Sequence, residues 1–516
     1  MNRSEALQQL DATWDLIIIG GGATGLGTAV DAANRGYKTL LLEQADFCKG
    51  TSSKATKLVH GGVRYLEQGN IALVREASIE RGLLYQNAPH LFKNLTFLIP
   101  NYSYYNNLLY TVGLKFYDIL AGSLSLGKSK YVKTKTGLLQ AKNVKTKDLK
   151  GFTQYHDGQF DDARLAINLA QTATNQGATL LNYMQVTQLL KKDNKISGLT
   201  ATDILNGKEY KLQAKVVLNA TGVWADEIIK MDVPKAVKTI QPSQGIHLVF
   251  NKEFYPNETA LMIPKTTDGR VLFVIPWHDK VLVGTTDTKI ESYEIEPLAL
   301  ENEIDFILLN CQHYLEIPPS RADVLSVFSG LRPLAASTND KTKEISRSHK
   351  IMIAKSNLVT IIGGKWTTYR KMAEDVLDKT SKAGLLPAKK CKTQNLHIHG
   401  YKKEIDQNNP FYFYGSDLEK IKAIEQENVM NQEKIHPNYA FTSACVIFAV
   451  QNEMAFKVED FLARRIRLLF LDAKAAVEAA PKVAQIMAQE LNQDATWIAN
   501  EVTAFALLAK KYELTL

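Results

Sequence analysis

Two kinds of side chain recur in this chain where they could act together: imidazoles able to take a proton near neutral pH, and cations able to hold a phosphate or carboxylate. His60 stands directly before Gly61-Gly62, with Arg64 and Tyr65 following. The stretch from Thr51 to Tyr65 that contains them is dense in hydroxyls (Thr51, Ser52, Ser53), cations (Lys54, Lys57) and glycine. A loop of this make-up suits an anion together with something flat. His247 lies within an alternating apolar run, Ile246 to Phe250; local sequence alone favours a packed or solvent-facing role for a lone strand histidine. Arg332 sits beside Pro333 in what reads as a proline-stiffened turn, Arg347 lies between Ser346 and Ser348, and Lys365 follows Gly363-Gly364. This last stretch, with the hydroxyls Thr367 and Thr368, reads as a helix start that offers N–H groups and a positive dipole to an electron-rich acceptor. The combined chemistry is proton removal beside a bound anion.

These groups need a framework, and Leu16 to Glu43 supplies its centre. Leu16-Ile17-Ile18-Ile19 is too short for a helix and ends in Gly20-Gly21-Gly22-Ala23-Thr24-Gly25, the pattern of a buried strand feeding a phosphate loop. Gly20 allows the tight turn, Gly22 lets the backbone approach a pyrophosphate, and Gly25 lets the following helix lie close to the strand. A second strand, Thr39 to Leu42, delivers Glu43 eighteen residues after Gly25, the spacing of an acid that accepts ribose hydroxyls and disfavours a 2′-phosphate. A helix is expected from Phe160 to Gly177 and a strand from Thr179 to Thr187, followed by two more strands about an Asn206-Gly207 turn. The last strand runs through Ala220 to a second glycine turn at Gly222 and Trp224, and Val186 is placed to cover an adenine through its backbone. A β-meander inserted in a Rossmann unit suits FAD better than NAD. Alternating strands around 246–250, 261–263, 271–275 and 280–285, with a turn at Asp268-Gly269, suggest a sheet roofing the flavin.

The 516 residues allow two or three domains, and a net charge of +8 suits an anionic substrate or membrane surface without requiring nucleic acid. Cys48, Cys311, Cys391 and Cys445 make no metal or redox spacing, which favours a reducing compartment. Met1 to Trp14 lacks an apolar or Arg/Ser-rich leader pattern, so a cytoplasmic protein is expected. The segment Phe97 to Gly122 is rich in tyrosine, phenylalanine and leucine; a packed core helix is the expectation, with an interfacial amphipathic helix as the alternative. Its most apolar part is interrupted by Lys115 and Asp118 and falls short of the roughly 20 residues of a bilayer span. Long helices are expected over Tyr439 to Gln451, Val458 to Phe470 and from Ala473 onward. The fold class is therefore α/β: a Rossmann-like cofactor domain with an inserted meander, an antiparallel substrate-binding sheet and a C-terminal helical domain. Residues 1–400 are assigned to the first two, with roof strands near 90–155 and 235–345, and residues 401–516 to the third.

Taken in order, GGGATG at Gly20, TSSKATKLVHGGVRYL from Thr51, NATGVWAD from Asn219, GIHLVF from Gly245, GTTDT from Gly284, SGLRPL from Ser329, SRSH from Ser346 and GGKWTTYRKMAE from Gly363 resemble the FAD-dependent glycerol-3-phosphate dehydrogenases. EDFLARRIRLLFLD from Glu459 is similar to that family's C-terminal domain, and Ser348 stands where the family usually has an acid. The resemblance implies oxidation of sn-glycerol 3-phosphate to dihydroxyacetone phosphate, with hydride passing from C2 to flavin N5 and electrons then to ubiquinone or menaquinone. It implies peripheral attachment to the inner face of the cytoplasmic membrane, leaves a homodimer open, and includes no calcium-binding appendage. Arg332, Arg347 and Arg64 would share the phosphate, with Lys365 as a further charge and Tyr65 as a hydrogen-bond donor. His247 and His60 are the candidate bases. His247 is preferred, because it reaches the substrate from the roof, whereas His60 is better placed to touch the flavin and shape its loop. A glycerophosphate oxidase using oxygen and an oxidoreductase of another small hydroxy or amino acid remain the alternatives.

Overall fold

The computed structural model describes residues 1–62, 69–336 and 349–514. Short apolar runs bounded by glycine become neighbouring parallel strands, because each is buried on both faces and needs partners on both edges. Thr13–Ile19 lies between Thr39–Leu42 and Glu209–Asn219, with Ile18 opposite Leu41 on one side and Leu218 on the other. Thr179–Leu181 and Val359–Ile362 extend this sheet in parallel. Helices Ala23–Asn34, Asp162–Asn175 and Tyr369–Lys382 pack beside one another, the first in the middle. The expected strand from Thr179 to Thr187 is two strands instead. Tyr183, at φ 55°, breaks it, so that Thr179–Leu181 stays in the parallel sheet while Met184–Lys192 opens the meander with Lys195–Asp203 and Glu209–Asn219.

The second sheet is the roof, with ten strands among the described residues. Ile240–Asn251 pairs antiparallel with both Lys280–Gly284 and Ser326–Ala335. Arg332 and Pro333 therefore lie within a strand rather than in a proline-stiffened turn. Pro333 faces Pro242 across the ladder, and two residues without an N–H can only meet at a non-hydrogen-bonded position of an antiparallel pair. Phe92–Asn101 and Gly151–Phe160 form a long hairpin-like pair in the same sheet. Leu58–Val59 joins its edge, which carries the loop that follows Glu43 from the cofactor sheet into the roof.

Two further expectations change. Phe97 is in a strand, and the helix Tyr104–Ala121 that follows is not a packed core helix: Leu114, Tyr117 and Ala121 are buried, but Tyr104, Leu108, Val112 and Ile119 are all more than half exposed. The expected helix from Val458 to Phe470 is also broken. A π-helical turn, Asp460–Arg465, is followed by Arg467 at φ 64° and a short helix, Leu468–Leu471. The break turns three arginines inward. Arg464 and Arg465 both reach Asp46, and Arg467 Nη2 donates to Ser53 O at 2.6 Å. Buried charges must be paired, and that demand overrides regular helix here. Through these contacts the C-terminal helices Ser443–Glu453, Ala473–Leu491 and Ala495–Ala509 share one hydrophobic core with the cofactor-sheet helices.

Candidate active site

The glycine loop has the backbone that its sequence demands. Gly20 sits at φ 108°, where a Cβ would stand 2.7 Å from Ala220 O, and a Cβ on Gly25 would stand 1.8 Å from Gly20 O. Gly22 caps helix Ala23–Asn34 without a side-chain hydrogen bond, so the helix start presents backbone N–H groups and a positive dipole; Ala23 N donates to Ser52 Oγ at 3.0 Å. Glu43 accepts from Gly21 N at 2.6 Å and Ala45 N at 2.9 Å, one bond on each carboxylate oxygen, which leaves a lone pair on each for a ligand hydroxyl. Burial pushes the Glu43 carboxyl up, opposed by these two N–H groups.

A cavity of ≈ 400 Å³ runs from this loop to the roof. Gly20, Gly22 and Glu43 line it with Val186, Ala220, Gly222 and Trp224. Thr51, Ser52, His60, Gly364, Lys365 and Thr367 line it too, as do His247 and Arg332 from the roof. The glycine cradle, the helix start and the acid fit a dinucleotide such as FAD. Gly25 stands back from the cavity in the strand–helix packing expected of it. Four other residues expected at the cofactor, Ser53, Lys57, Gly61 and Thr368, are absent from the cavity lining. Lys57 is wholly buried, with its Nζ 2.7 Å from Asp162 and 2.8 Å from Ser53 O; burial brings its pKa down to about 8. Ser53 O thus receives Lys57 and Arg467 together, which braces the Thr51–Ser53 turn from beneath. Gly61 donates its N–H to Tyr117 OH at 2.8 Å, and the Thr368 hydroxyl turns back to Lys365 O at 3.4 Å. Arg64, Tyr65 and Arg347 lie outside the described residues.

His247 and His60 reach the cavity from different elements. His247 is 2% exposed, stacks on Phe328 at 4.8 Å, and has Thr56 Oγ1 3.0 Å from its Nε2. Burial, helped by Lys57 and Arg332, holds its pKa well below the ordinary histidine value, so the imidazole is neutral at pH 7. His60 is half-buried, and the Thr367 hydroxyl lies 3.3 Å from its backbone N and 3.4 Å from its carbonyl. Arg332 donates to Thr286 O at 2.9 Å, Thr285 Oγ1 at 3.1 Å and Gln244 O at 3.2 Å, with Asp287 at 3.4 Å. Gly245 makes room for it: a Cβ there would stand 2.3 Å from Arg332 Nη2.

Sequence reasoning passed over three residues that shape this site. Thr56 was visible in the hydroxyl-rich stretch but nothing marked it as the partner of His247. Trp366 ties the two loops together by donating Nε1–H to Ser52 O at 2.7 Å. Gly245 lay within a quoted motif, yet its spatial reason, the approach of Arg332, is visible only across paired strands.

Residues 15–370 match the family model described as FAD dependent oxidoreductase, and residues 356–497 match the C-terminal domain of alpha-glycerophosphate oxidase. The mitochondrial glycerol-3-phosphate dehydrogenase of Bos taurus is 39% identical over 521 residues, covering 93% of this chain and 71% of that protein. The Arabidopsis thaliana mitochondrial enzyme is 38% identical, covering 93% and 83% respectively. Among solved structures, the glycerol-3-phosphate dehydrogenase of Bacillus halodurans complexed with FAD superposes with a TM-score of 0.81 at 28% identity, over 99% of this chain and 97% of that one. The FAD-bound L-alpha-glycerophosphate oxidase of Mycoplasma pneumoniae shares the fold at a TM-score of 0.58 and 18% identity. With matches along nearly its whole length, and with the glycine cradle, acid and roofed cavity in place, the chain belongs to the glycerol-3-phosphate dehydrogenases of the FAD-dependent oxidoreductase family.

Proposed function

We propose that the protein oxidises sn-glycerol 3-phosphate to dihydroxyacetone phosphate and passes the electrons to a membrane quinone. The observation that carries this reading is the shared cavity, which a dinucleotide cradle lines together with two histidines, an arginine and a lysine. FAD, when bound, supplies the two-electron acceptor. The helix start at Gly22 holds its pyrophosphate, Glu43 its ribose and the backbone of Val186 its adenine. The Gly364 to Thr368 turn offers N–H groups to the pyrimidine edge.

Arg332 and Lys365, together with Arg64 and Arg347 from the sequence motifs, hold the phosphate, and Tyr65 donates to it. A dianion calls for several cations, whereas a carboxylate substrate would need fewer, which favours glycerol 3-phosphate over a hydroxy or amino acid. His247 takes the C2 hydroxyl proton as the C2 hydrogen departs with its electron pair; its neutral imidazole is in the state a base requires. His60 shapes the cofactor loop. Residues 1–400 act as interleaved cofactor and roof domains, and 401–516 as a helical unit that braces the Thr51–Ser53 turn. No helix among the described residues is long and apolar enough to cross a membrane. A lipid-soluble acceptor calls for contact with the membrane, here peripheral and on the inner face of the cytoplasmic membrane.

The test is a substrate panel with a soluble dye acceptor. Glycerol 3-phosphate should be turned over with stoichiometric dihydroxyacetone phosphate, while glycerol, lactate and glycine should be poor. Turnover of a carboxylate substrate in its place would overturn the assignment.

A further inference from the structure

The imidazole of His247 makes a single hydrogen bond among the described residues. One face of the ring stacks on Phe328 at 4.8 Å, and its edge lies so close to Gly284 on the paired strand that a Cβ there would stand 2.2 Å from Cδ2. Nδ1 is buried with no hydrogen-bond partner among the described residues, whereas Nε2 lies 3.0 Å from Thr56 Oγ1. Thr56 is half-buried and lines the cavity. A proton passing between the cavity and this imidazole therefore meets the Thr56 hydroxyl, a group that can accept on one side while it donates on the other.

The chain on either side of Thr56 is pinned to one buried acid. Ala55 N–H donates to Asp162 Oδ2 at 2.9 Å, and Lys57 Nζ donates to the same oxygen at 2.7 Å. Between these anchors Lys57 adopts φ 63°, a left-handed conformation uncommon for a residue with a side chain. Its ammonium is thereby spent on Asp162 behind the cavity lining, while the adjacent Thr56 stays in the lining. Backbone strain of this kind persists where the surroundings over-determine it, and here it falls beside a hydroxyl in contact with the candidate base. Thr56 is also branched at Cβ, so its hydroxyl has few rotamers to choose from. The arrangement is preorganised rather than incidental to a mobile loop.

We propose that Thr56 is a catalytic residue, whose hydroxyl takes the C2 hydroxyl proton of the substrate and passes its own proton to His247 Nε2, the two protons moving together. This rests on the reading of His247 as the base in glycerol 3-phosphate oxidation. The substrate O–H bond breaks as Thr56 Oγ1 gains that proton, and the original Thr56 O–H bond breaks as Nε2 gains the second. The C2–H bond gives its hydrogen and both electrons to the FAD of that reading. C2 is oxidised to a ketone and the flavin is reduced; Thr56 ends as a hydroxyl again and His247 as an imidazolium. The resting ring carries its proton on Nδ1, the tautomer in which Nε2 is an acceptor. A substrate hydroxyl that met Nε2 directly would have to displace the Thr56 hydroxyl from its place 3.0 Å away.

The experiment uses the full-length FAD-loaded protein, reduced anaerobically by sn-glycerol 3-phosphate in stopped flow. Thr56→Val keeps the branched shape without the hydroxyl; it should retain its FAD by absorbance and be reduced about 10²-fold more slowly, and Thr56→Ser should recover most of that loss. Thr56→Val combined with His247→Asn should be no slower than the slower single variant, because both interrupt one path. In mixtures of light and heavy water the rate of the unsubstituted protein should fall along a curve, as two protons in flight require. In resting protein carrying 15N-labelled histidine, the His247 signals, identified by their loss in His247→Asn, should report a protonated Nδ1 and a bare Nε2. These last two measurements need no change at Thr56 and stand even where a variant fails to fold. Losses that multiply in the double variant, a straight-line dependence on heavy water or a protonated Nε2 each overturn the relay. If Thr56→Val is reduced at the unsubstituted rate while His247→Asn is slow, the relay alone fails; if both are normal, the reading of His247 as base fails and the relay with it. If glycerol 3-phosphate leaves the unsubstituted protein oxidised, it is the functional reading that fails.

Discussion

Replacing Arg332 separates recognition of the phosphate from the rest of the site. Its guanidinium lies in the cavity wall with 23% of the side chain exposed, anchored by Thr286 O at 2.9 Å and Gln244 O at 3.2 Å. Removing one charge-assisted contact to a bound dianion costs about 2–4 kcal/mol, which is roughly 30- to 800-fold in kcat/KM. Arg332→Ala also leaves Asp287, now 3.4 Å from the guanidinium, without that counter-charge, which adds repulsion of an anionic substrate. Arg332→Lys keeps the charge but loses the planar fork and should fall between. Gly245→Ala gives an independent check, because its Cβ would stand 2.3 Å from Arg332 Nη2 and must displace the guanidinium without changing any charge. The assay is kcat/KM for glycerol 3-phosphate and for glycerol with the same dye acceptor. The loss should fall almost entirely on the phosphorylated substrate. Equal losses on both would refute the assignment of Arg332 to the phosphate.

Four other outcomes follow from the geometry. His247→Asn should slow anaerobic flavin reduction by about 10²–10⁴-fold; a larger loss in His60→Asn, with His247→Asn near normal, would transfer the role of base to His60. His247 has a folded pKa depressed below its unfolded value near 6.5, so its neutral burial stabilises fully above that pH and the contribution is lost as pH falls below it; urea midpoints of the unsubstituted protein and His247→Asn should converge or cross between pH 7 and 5, and parallel curves would count against it. Gly25→Ala forces a Cβ to 1.8 Å from Gly20 O, so the purified variant should carry little FAD by absorbance; normal FAD content would contradict the cradle. Burial pushes the Asp46 carboxyl up, but Arg465 and Arg464 overcome this and hold it at about 2, so Asp46→Ala takes the shared counter-charge from two buried arginines, leaving Arg464 to Glu459 and Asp460 and Arg465 to Glu453, and should cost up to about 3 kcal/mol, read by thermal melting.

The cofactor half of the fold was legible because its signals are local. Leu16 to Gly25 and Thr39 to Glu43 each fix a strand, a turn or a helix start from adjacent residues, and the structure follows them closely. Where a residue's conformation depends on distant partners, the sequence misleads. Arg332-Pro333 looks like a turn until Pro242 is seen opposite. Val458 to Phe470 looks like one helix until Asp46 and Ser53 O draw its arginines inward. Lys57 has the composition of an anion ligand, but its ammonium is taken by Asp162, a residue 105 positions away. In the site, residue types and motif order indicated which groups belong together, while the exposure of the helix after Asn101 and the contacts of Thr56, Trp366 and Tyr117 arise from packing that no local pattern encodes.

The most direct measurement is the anaerobic absorbance spectrum of the FAD-loaded protein during titration with sn-glycerol 3-phosphate. The account predicts that the flavin band bleaches on mixing, that dihydroxyacetone phosphate appears in equal amount to the FAD reduced, and that glycerol and lactate at the same concentration leave the protein yellow. A flavin that stays oxidised with glycerol 3-phosphate, or that bleaches with lactate instead, would contradict it.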